Sequence, residues 1–174
     1  YSSSKGAAEI AINSWRRSFF NPEDYNKKHH VSIASVRAGN VIGGGDWSKD
    51  RIIPDCIRAI ESNKIIEIRS PKAIRPWQHV LEPLSGYMLL ASKMWKEPTK
   101  YCEGWNFGPE TESIATVWDV ANKLVLCYGQ GILKDVSEPN ALHEANLLML
   151  DINKAHFKLG WQPRMNIDKC INMV

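Results

Sequence analysis

The chain has 174 residues, 44% of them apolar, and 22 Lys and Arg against 19 Asp and Glu give a formal net charge of +3. These are the proportions of an ordinary globular protein with room for one or two domains. The basic residues are scattered, no apolar run approaches the ~18 residues of a membrane helix, no segment reads as a signal peptide, and Cys56, Cys102, Cys127 and Cys170 lie far apart, which argues against a nucleic-acid surface, a membrane span and a disulfide framework. The thiols are expected to be reduced and the protein cytoplasmic.

Tyr1-Ser2-Ser3-Ser4-Lys5 opens a helix expected to run to Phe20 and to stop before Asn21-Pro22. A Tyr and a Lys four apart on a helix lie one above the other. A free phenol titrates near ~10, and a neighbouring ammonium favours its phenolate and lowers that value. The pair is a candidate acid–base group for a sugar or steroid hydroxyl near neutral pH. Ala8, Ile12, Trp15 and Phe19 continue the same face as an expected buried stripe, and the small residues around Gly6 let a bulky cofactor approach.

Asn21 to His30 reads as a polar loop, in which His29-His30 has no acidic or Cys neighbour and is taken as solvated, so no metal site is expected. Val31 to Arg37 alternates as a strand. It leads into Ala38-Gly39-Asn40-Val41-Ile42-Gly43-Gly44-Gly45-Asp46-Trp47, a glycine-rich loop where a parallel α/β sheet would hold a ligand. Pro54 suits the first turn of a helix carrying Ile53, Ile57 and Ile60. Ile65–Ile68 is a short strand, Ser70–Pro76 a loop, and Trp77–Val80 re-enters the fold. Pro83 opens a helix with Leu84, Tyr87, Met88, Ala91, Met94 and Trp95 at helical spacing, and Trp105–Pro109 is a strand ending in a turn. Thr116 and Asp119 form a capping box before a helix that stops at Gly129. Leu147–Leu150 reads as a strand, and Asp151 caps a short helix that Gly160 closes. Strands and helices alternate, so the class is α/β. Gly43-Gly44-Gly45 and Gly129-Gln130-Gly131 lack the Gly-x-Gly-x-x-Gly spacing of a dinucleotide turn. With Tyr1 first and Asn172-Met173-Val174 last, both ends are expected to be cuts.

The Tyr1–Gly6, Arg37–Trp47, Ile74–Val80, Gly104–Pro109 and Leu159–Pro163 stretches together resemble the C-terminal portion of extended short-chain dehydrogenase/reductases acting on nucleotide sugars. The Gly-Gly-Gly-Asp-Trp loop and Arg-Pro-Trp-Gln-His-Val are narrower and resemble the CDP-glucose branch. The resemblance implies the C-terminal part of an NAD(P)-binding Rossmann-type domain at 1–47 and 79–110, and a smaller α/β substrate-binding domain at 48–78 and 111–174. It implies NAD as cofactor and CDP-glucose as substrate: oxidation at C4, loss of water across C5 and C6, and return of the hydride to C6, an early step toward deoxysugars of surface polysaccharide. Tyr1 would be the base for the 4-hydroxyl, and Lys5 would hold the nicotinamide ribose. Gly39 would lie beside the nicotinamide. Asn40 and Arg75 would hold the diphosphate, and Asn106 would stand on the nucleotide side. Many relatives carry an Arg within the stretch that here reads Glu138 to Glu144, where His143 stands as a substitute ligand. The family's elimination acid and base precede Tyr1, so the isolated chain is expected to be inactive, and the complete enzyme to be a homodimer. A related epimerase or decarboxylase, and a non-catalytic nucleotide-sugar binding module, are the alternatives.

Overall fold

The computed structural model describes residues 2–138 and 147–174. Along it run α1 (Ser2–Ser18), β1 (Ser35–Ala38), β2 (Asn40–Ile42), α2 (Ile52–Glu61), β3 (Ile66–Ile68), β4 (Ile74–Arg75), β5 (Trp77–His79) and α3 (Leu81–Lys96). Then come β6 (Gly104–Phe107), β7 (Ala115–Thr116), α4 (Val117–Tyr128), β8 (Leu133–Asp135), a π-wound turn at Ala155–Leu159, and α5 (Ile167–Asn172). Among the described residues the strands pair two by two: β1 with β6, β2 with β5 in parallel, β3 with β8 in parallel, and β4 with β7 antiparallel.

Several expectations are corrected. The glycine-rich loop contains β2, and the Ser70–Pro76 loop contains β4, because each finds a ladder partner distant in sequence. Leu147–Leu150 forms no strand; Leu147 makes a single bridge to Ile74 and the rest is exposed or half-buried. β8 and α5 had no counterpart in the sequence reading, and α3 begins two residues before Pro83.

The chain divides into two compact units, the first built from Tyr1–Arg37, Leu84–Phe107 and Ile152–Gln162. Its centre is aromatic. The Phe107 ring meets Trp161 edge-on at 4.9 Å and Tyr87 at 5.5 Å, and the Trp161 indole N–H donates to Ser85 Oγ at 2.9 Å. Gly86 permits this packing, since a Cβ there would fall 2.2 Å from Phe107 Cδ1. Lys154 Nζ lies 4.7 Å from the centre of the Trp105 ring, donates to Gly104 O and pairs with Glu103. That pairing holds the Glu103 carboxyl below its usual range.

On α1 the stripe expected to be buried lies largely outward, and α3 also exposes apolar side chains. On α1, Glu9, Ile12 and Arg16 are half-buried, with Glu9 accepting from Ser35 Oγ at 2.9 Å, while Ala8, Trp15 and the following Phe19 are exposed. On α3, Gly86 and Leu90 are buried, while Met88 and Trp95 are 75% and 88% exposed. The apolar stripes were identified correctly as stripes, but within this chain nothing covers them among the described residues.

The second unit comprises Ala38–Pro83, Gly108–Asp151 and Pro163–Val174. Its core is aliphatic: Ile53, Cys56 and Ile60 from α2, Ile66 and Ile68 from β3, Val120, Ala121 and Leu124 from α4, and Ile167, Cys170 and Ile171 from α5 close around Trp77. The helices enter it where local signals are strong. Thr116 Oγ1 accepts from the Asp119 N–H at 3.0 Å while the Asp119 carboxylate accepts from the Thr116 N–H at 3.1 Å, and Gly129 ends α4 in the left-handed region. Among the described residues no helix is long and apolar enough to cross a membrane, and the four cysteines are unpaired.

Candidate functional site

The second unit encloses a cavity of about 850 Å³, within the range of small-molecule pockets. Its walls are the β2 segment Asn40–Gly43, the first turns of α2 from Arg51 to Cys56, the β3 run from Ile65 to Ser70, and Arg75, Trp77, Val136 and Glu138. The parallel pairing of β2 with β5 sets Asn40 opposite Trp77. That pairing depends on Gly39, where a Cβ would fall 2.3 Å from Pro76 O, and the Asn40 N–H donates to the same carbonyl at 2.9 Å. Gly39 therefore has a packing reason to be glycine. Trp77 is fixed by its indole N–H, which donates to Ala115 O at 3.2 Å.

Three guanidinium groups serve the cavity. Arg75 is half-buried at the end of β4, where Nη1 donates to Ile74 O at 2.9 Å. Arg69 reaches Asp50 at 3.5 Å on the open surface. The Arg51 guanidinium makes neither a hydrogen bond nor an ion pair among the described residues, and it stands at the N-cap of α2, whose first turn carries the positive end of the helix dipole. The carboxylates of the wall are mostly engaged. Asp46 accepts from the Ser48 N–H at 3.0 Å, which holds its carboxyl below the usual range, with Arg51 and Arg58 adding to the effect. Asp55 pairs with Arg58, which also donates to Trp47 O and Ser48 O and so ties the glycine-rich loop to α2. The Cys56 thiol is pushed up to about 12 by burial and by the nearby Asp55 charge, so it is an inert core group rather than a nucleophile. Half-buried and exposed cations beside a helix N-terminus suit an anionic group such as a diphosphate. Trp77 supplies an apolar wall.

Asn40 and Arg75, predicted from sequence, are thus brought together on one cavity. Lys5 and Asn106 belong to the first unit, on α1 and β6. Lys5 is exposed near the start of α1, and open space surrounds the position a Cβ would take at Gly6. Tyr1 and His143 lie outside the described residues. Arg51, Arg69 and Glu67 carry no signal of their own in the sequence: Arg51 precedes α2, Arg69 follows β3, and Glu67 is the polar residue in the middle of β3. Among the described residues no group of three His, Cys, Asp or Glu side chains is placed to hold a metal ion. The His29 and His30 rings bond locally to Asn21 O and Asn26 Oδ1.

The chain is 49% identical over 174 residues to the CDP-glucose 4,6-dehydratase of Salmonella typhimurium, covering 100% of this chain and 48% of that protein. It spans about half the length of the curated relative it matches. No family model matches the chain. Among solved structures, it is similar to a dTDP-glucose 4,6-dehydratase from Bacillus anthracis in complex with NAD, at 17% identity over 99% of this chain and 49% of that one, with a TM-score of 0.75. A dTDP-glucose 4,6-dehydratase from Streptomyces venezuelae gives a TM-score of 0.76 at 14% identity, over 99% and 50%. The fold is Rossmann-type α/β. From end to end, the chain resembles a portion of a CDP-glucose 4,6-dehydratase.

Proposed function

We propose that this chain is the C-terminal portion of an NAD-dependent hydro-lyase that converts CDP-glucose to CDP-4-keto-6-deoxyglucose in the cytoplasm. The observation that carries the reading is the 49% identity to CDP-glucose 4,6-dehydratase along the whole chain. The cavity of the second unit supports it, because Asn40, Arg75 and the first turn of α2 line one space suited to a diphosphate. In this reading Lys5 of the first unit serves the cofactor, and Asn40 and Arg75 of the second serve the nucleotide sugar.

NAD, when bound, would supply the reversible hydride chemistry between C4 and C6 of the sugar. Lys5 fits a place beside its nicotinamide ribose, since the Lys5–Gly6 surface of α1 is open. Tyr1, one helical turn before Lys5 in sequence, acts as a phenolate that takes the proton of the 4-hydroxyl as that carbon is oxidised, and Lys5 stabilises the phenolate before the transfer. Gly39 lies along the cofactor side, Asn106 toward the nucleotide, and His143 in the place of a second diphosphate ligand. Arg75 and Asn40 hold the diphosphate in ground and transition states alike, so they contribute to affinity more than to turnover. The exposed stripes of α1 and α3 favour a homodimer in the complete enzyme.

The test is to express the full-length protein, supply CDP-glucose and NAD, and follow the 4-keto-6-deoxy product. Formation of that product is expected. Epimerisation or decarboxylation of a nucleotide sugar instead, or binding without turnover, would reject the dehydratase reading.

A further inference from the structure

A pocket for a diphosphate has little use for an unpaired carboxylate, because like charges repel across a partly desolvated space. Five carboxylates nevertheless stand in this wall: Asp46, Asp50, Asp55, Glu67 and Glu138. Three have assignments within the protein, to the Ser48 N–H, Arg69 and Arg58 respectively. Glu67 and Glu138 have no hydrogen bond or ion pair among the described residues. Of the two, Glu67 is set on a strand: it is the central residue of β3, held in parallel register opposite Lys134, with which it forms no ion pair. Its flanking residues Ile66 and Ile68 are 3% and 2% exposed, so the backbone under Glu67 is anchored in the core while its side chain stays exposed. Groups carried on anchored strands keep their aim better than groups on loops. Glu138 follows β8 in an irregular segment.

A carboxylate only accepts hydrogen bonds. Ribose hydroxyls and the N3–H of uracil and thymine can donate to it, but at the 4-position of a pyrimidine only cytosine does, through its N4 amino group. Uracil and thymine present a carbonyl oxygen at the same place, whose lone pairs would face the carboxylate. We infer that Glu67 is the residue that reads the base, accepting a hydrogen bond from the cytosine amino group and rejecting uridine and thymidine diphosphate compounds. This rests on the nucleotide-sugar reading of the cavity and deepens it. It also gives the carboxylate a reason to stand in an anion pocket: the guanidiniums would serve the phosphates and Glu67 the base.

The experiment is titration calorimetry on this chain with CDP and with UDP, using the unaltered protein, Glu67→Gln and Glu138→Gln, with circular dichroism to confirm folding. Glu67 is exposed, so the substitution leaves the core intact. The unaltered chain is expected to prefer CDP. In Glu67→Gln, whose amide can donate to the uracil carbonyl, the CDP-over-UDP ratio should fall about tenfold or more, the scale of one base-edge discrimination, and Glu138→Gln should keep the ratio. A chain that binds CDP and UDP equally, or an unchanged ratio in Glu67→Gln, overturns the assignment while leaving the nucleotide pocket standing, and so does a loss of preference confined to Glu138→Gln. Failure of the unaltered, folded chain to bind either nucleotide would reject the pocket reading and the inference together.

Discussion

A phenol can act as a base near neutral pH only if its anion is stabilised, and the nearest means in this sequence is the ammonium of Lys5. The pairing is proposed because residues four apart on a helix share a face; Tyr1 itself lies outside the described residues. Removing the Tyr1 hydroxyl in the full-length enzyme is therefore expected to lower turnover by at least ~10²-fold, the usual contribution of a positioned acid–base group. Folding should hardly change in Tyr1→Phe, since one oxygen is lost. Lys5→Met should impair turnover and shift the rising limb of the pH profile upward, because the phenolate loses its cation and the phenol holds its proton to higher pH. Steady-state kinetics across pH read both effects. Near-normal turnover of Tyr1→Phe would refute the catalytic assignment. Glu67 was not legible at the same scale. In sequence it is the polar member of an alternating strand, Ile66-Glu67-Ile68, and its place in a cavity wall depends on α2 and β2, which no local pattern reports.

At the scale of elements, sequence served best where the deciding interactions are local. The Thr116–Asp119 box and the Gly129 stop of α4 need only three or four neighbouring residues, and both form. The two- and three-residue strands β2, β4, β7 and β8 are too short to show a period; they exist because partners tens of residues away supply their hydrogen bonds. The Leu147–Leu150 run shows the converse, since apolar character without a ladder partner yields one bridge and no strand. The capping box can be weighed directly. Thr116→Ala removes the hydroxyl that accepts from the Asp119 N–H, and should destabilise the second unit by about 1 kcal/mol. Thr116→Ser keeps the oxygen and should restore most of it. Denaturant unfolding followed by helical circular dichroism measures the difference. Equal stability of the alanine and threonine proteins would show that the cap is redundant with the burial of Val120 and Leu124.

For the whole molecule, the phase of the helices matters more than their existence. Ile10 and Trp15 on α1 and Met88 and Trp95 on α3 are between 59% and 88% exposed, more apolar surface than a self-sufficient unit usually shows. The α1 stripe was expected to face inward, because periodicity reports that a face is apolar and not what covers it. The second unit is different: its core closes on itself around Trp77, and its cavity lies wholly within it. The two ligand classes should therefore behave differently toward this chain alone. CDP needs the second unit, whose cavity contains Arg75, Asn40 and the first turn of α2. NAD needs a glycine-rich turn and a helix N-terminus to receive its pyrophosphate, and no Gly-x-Gly-x-x-Gly spacing occurs among the 174 residues. The isolated chain is expected to give a binding isotherm with CDP and little or no heat with NAD in the same concentration range. The Arg75→Ala chain, with the half-buried guanidinium removed, should weaken CDP and leave the NAD result unchanged. Micromolar affinity for NAD in the isolated chain would mean that its residues hold the dinucleotide without the glycine-rich turn, and would overturn the assignment of the pyrophosphate site to a part of the protein beyond this sequence.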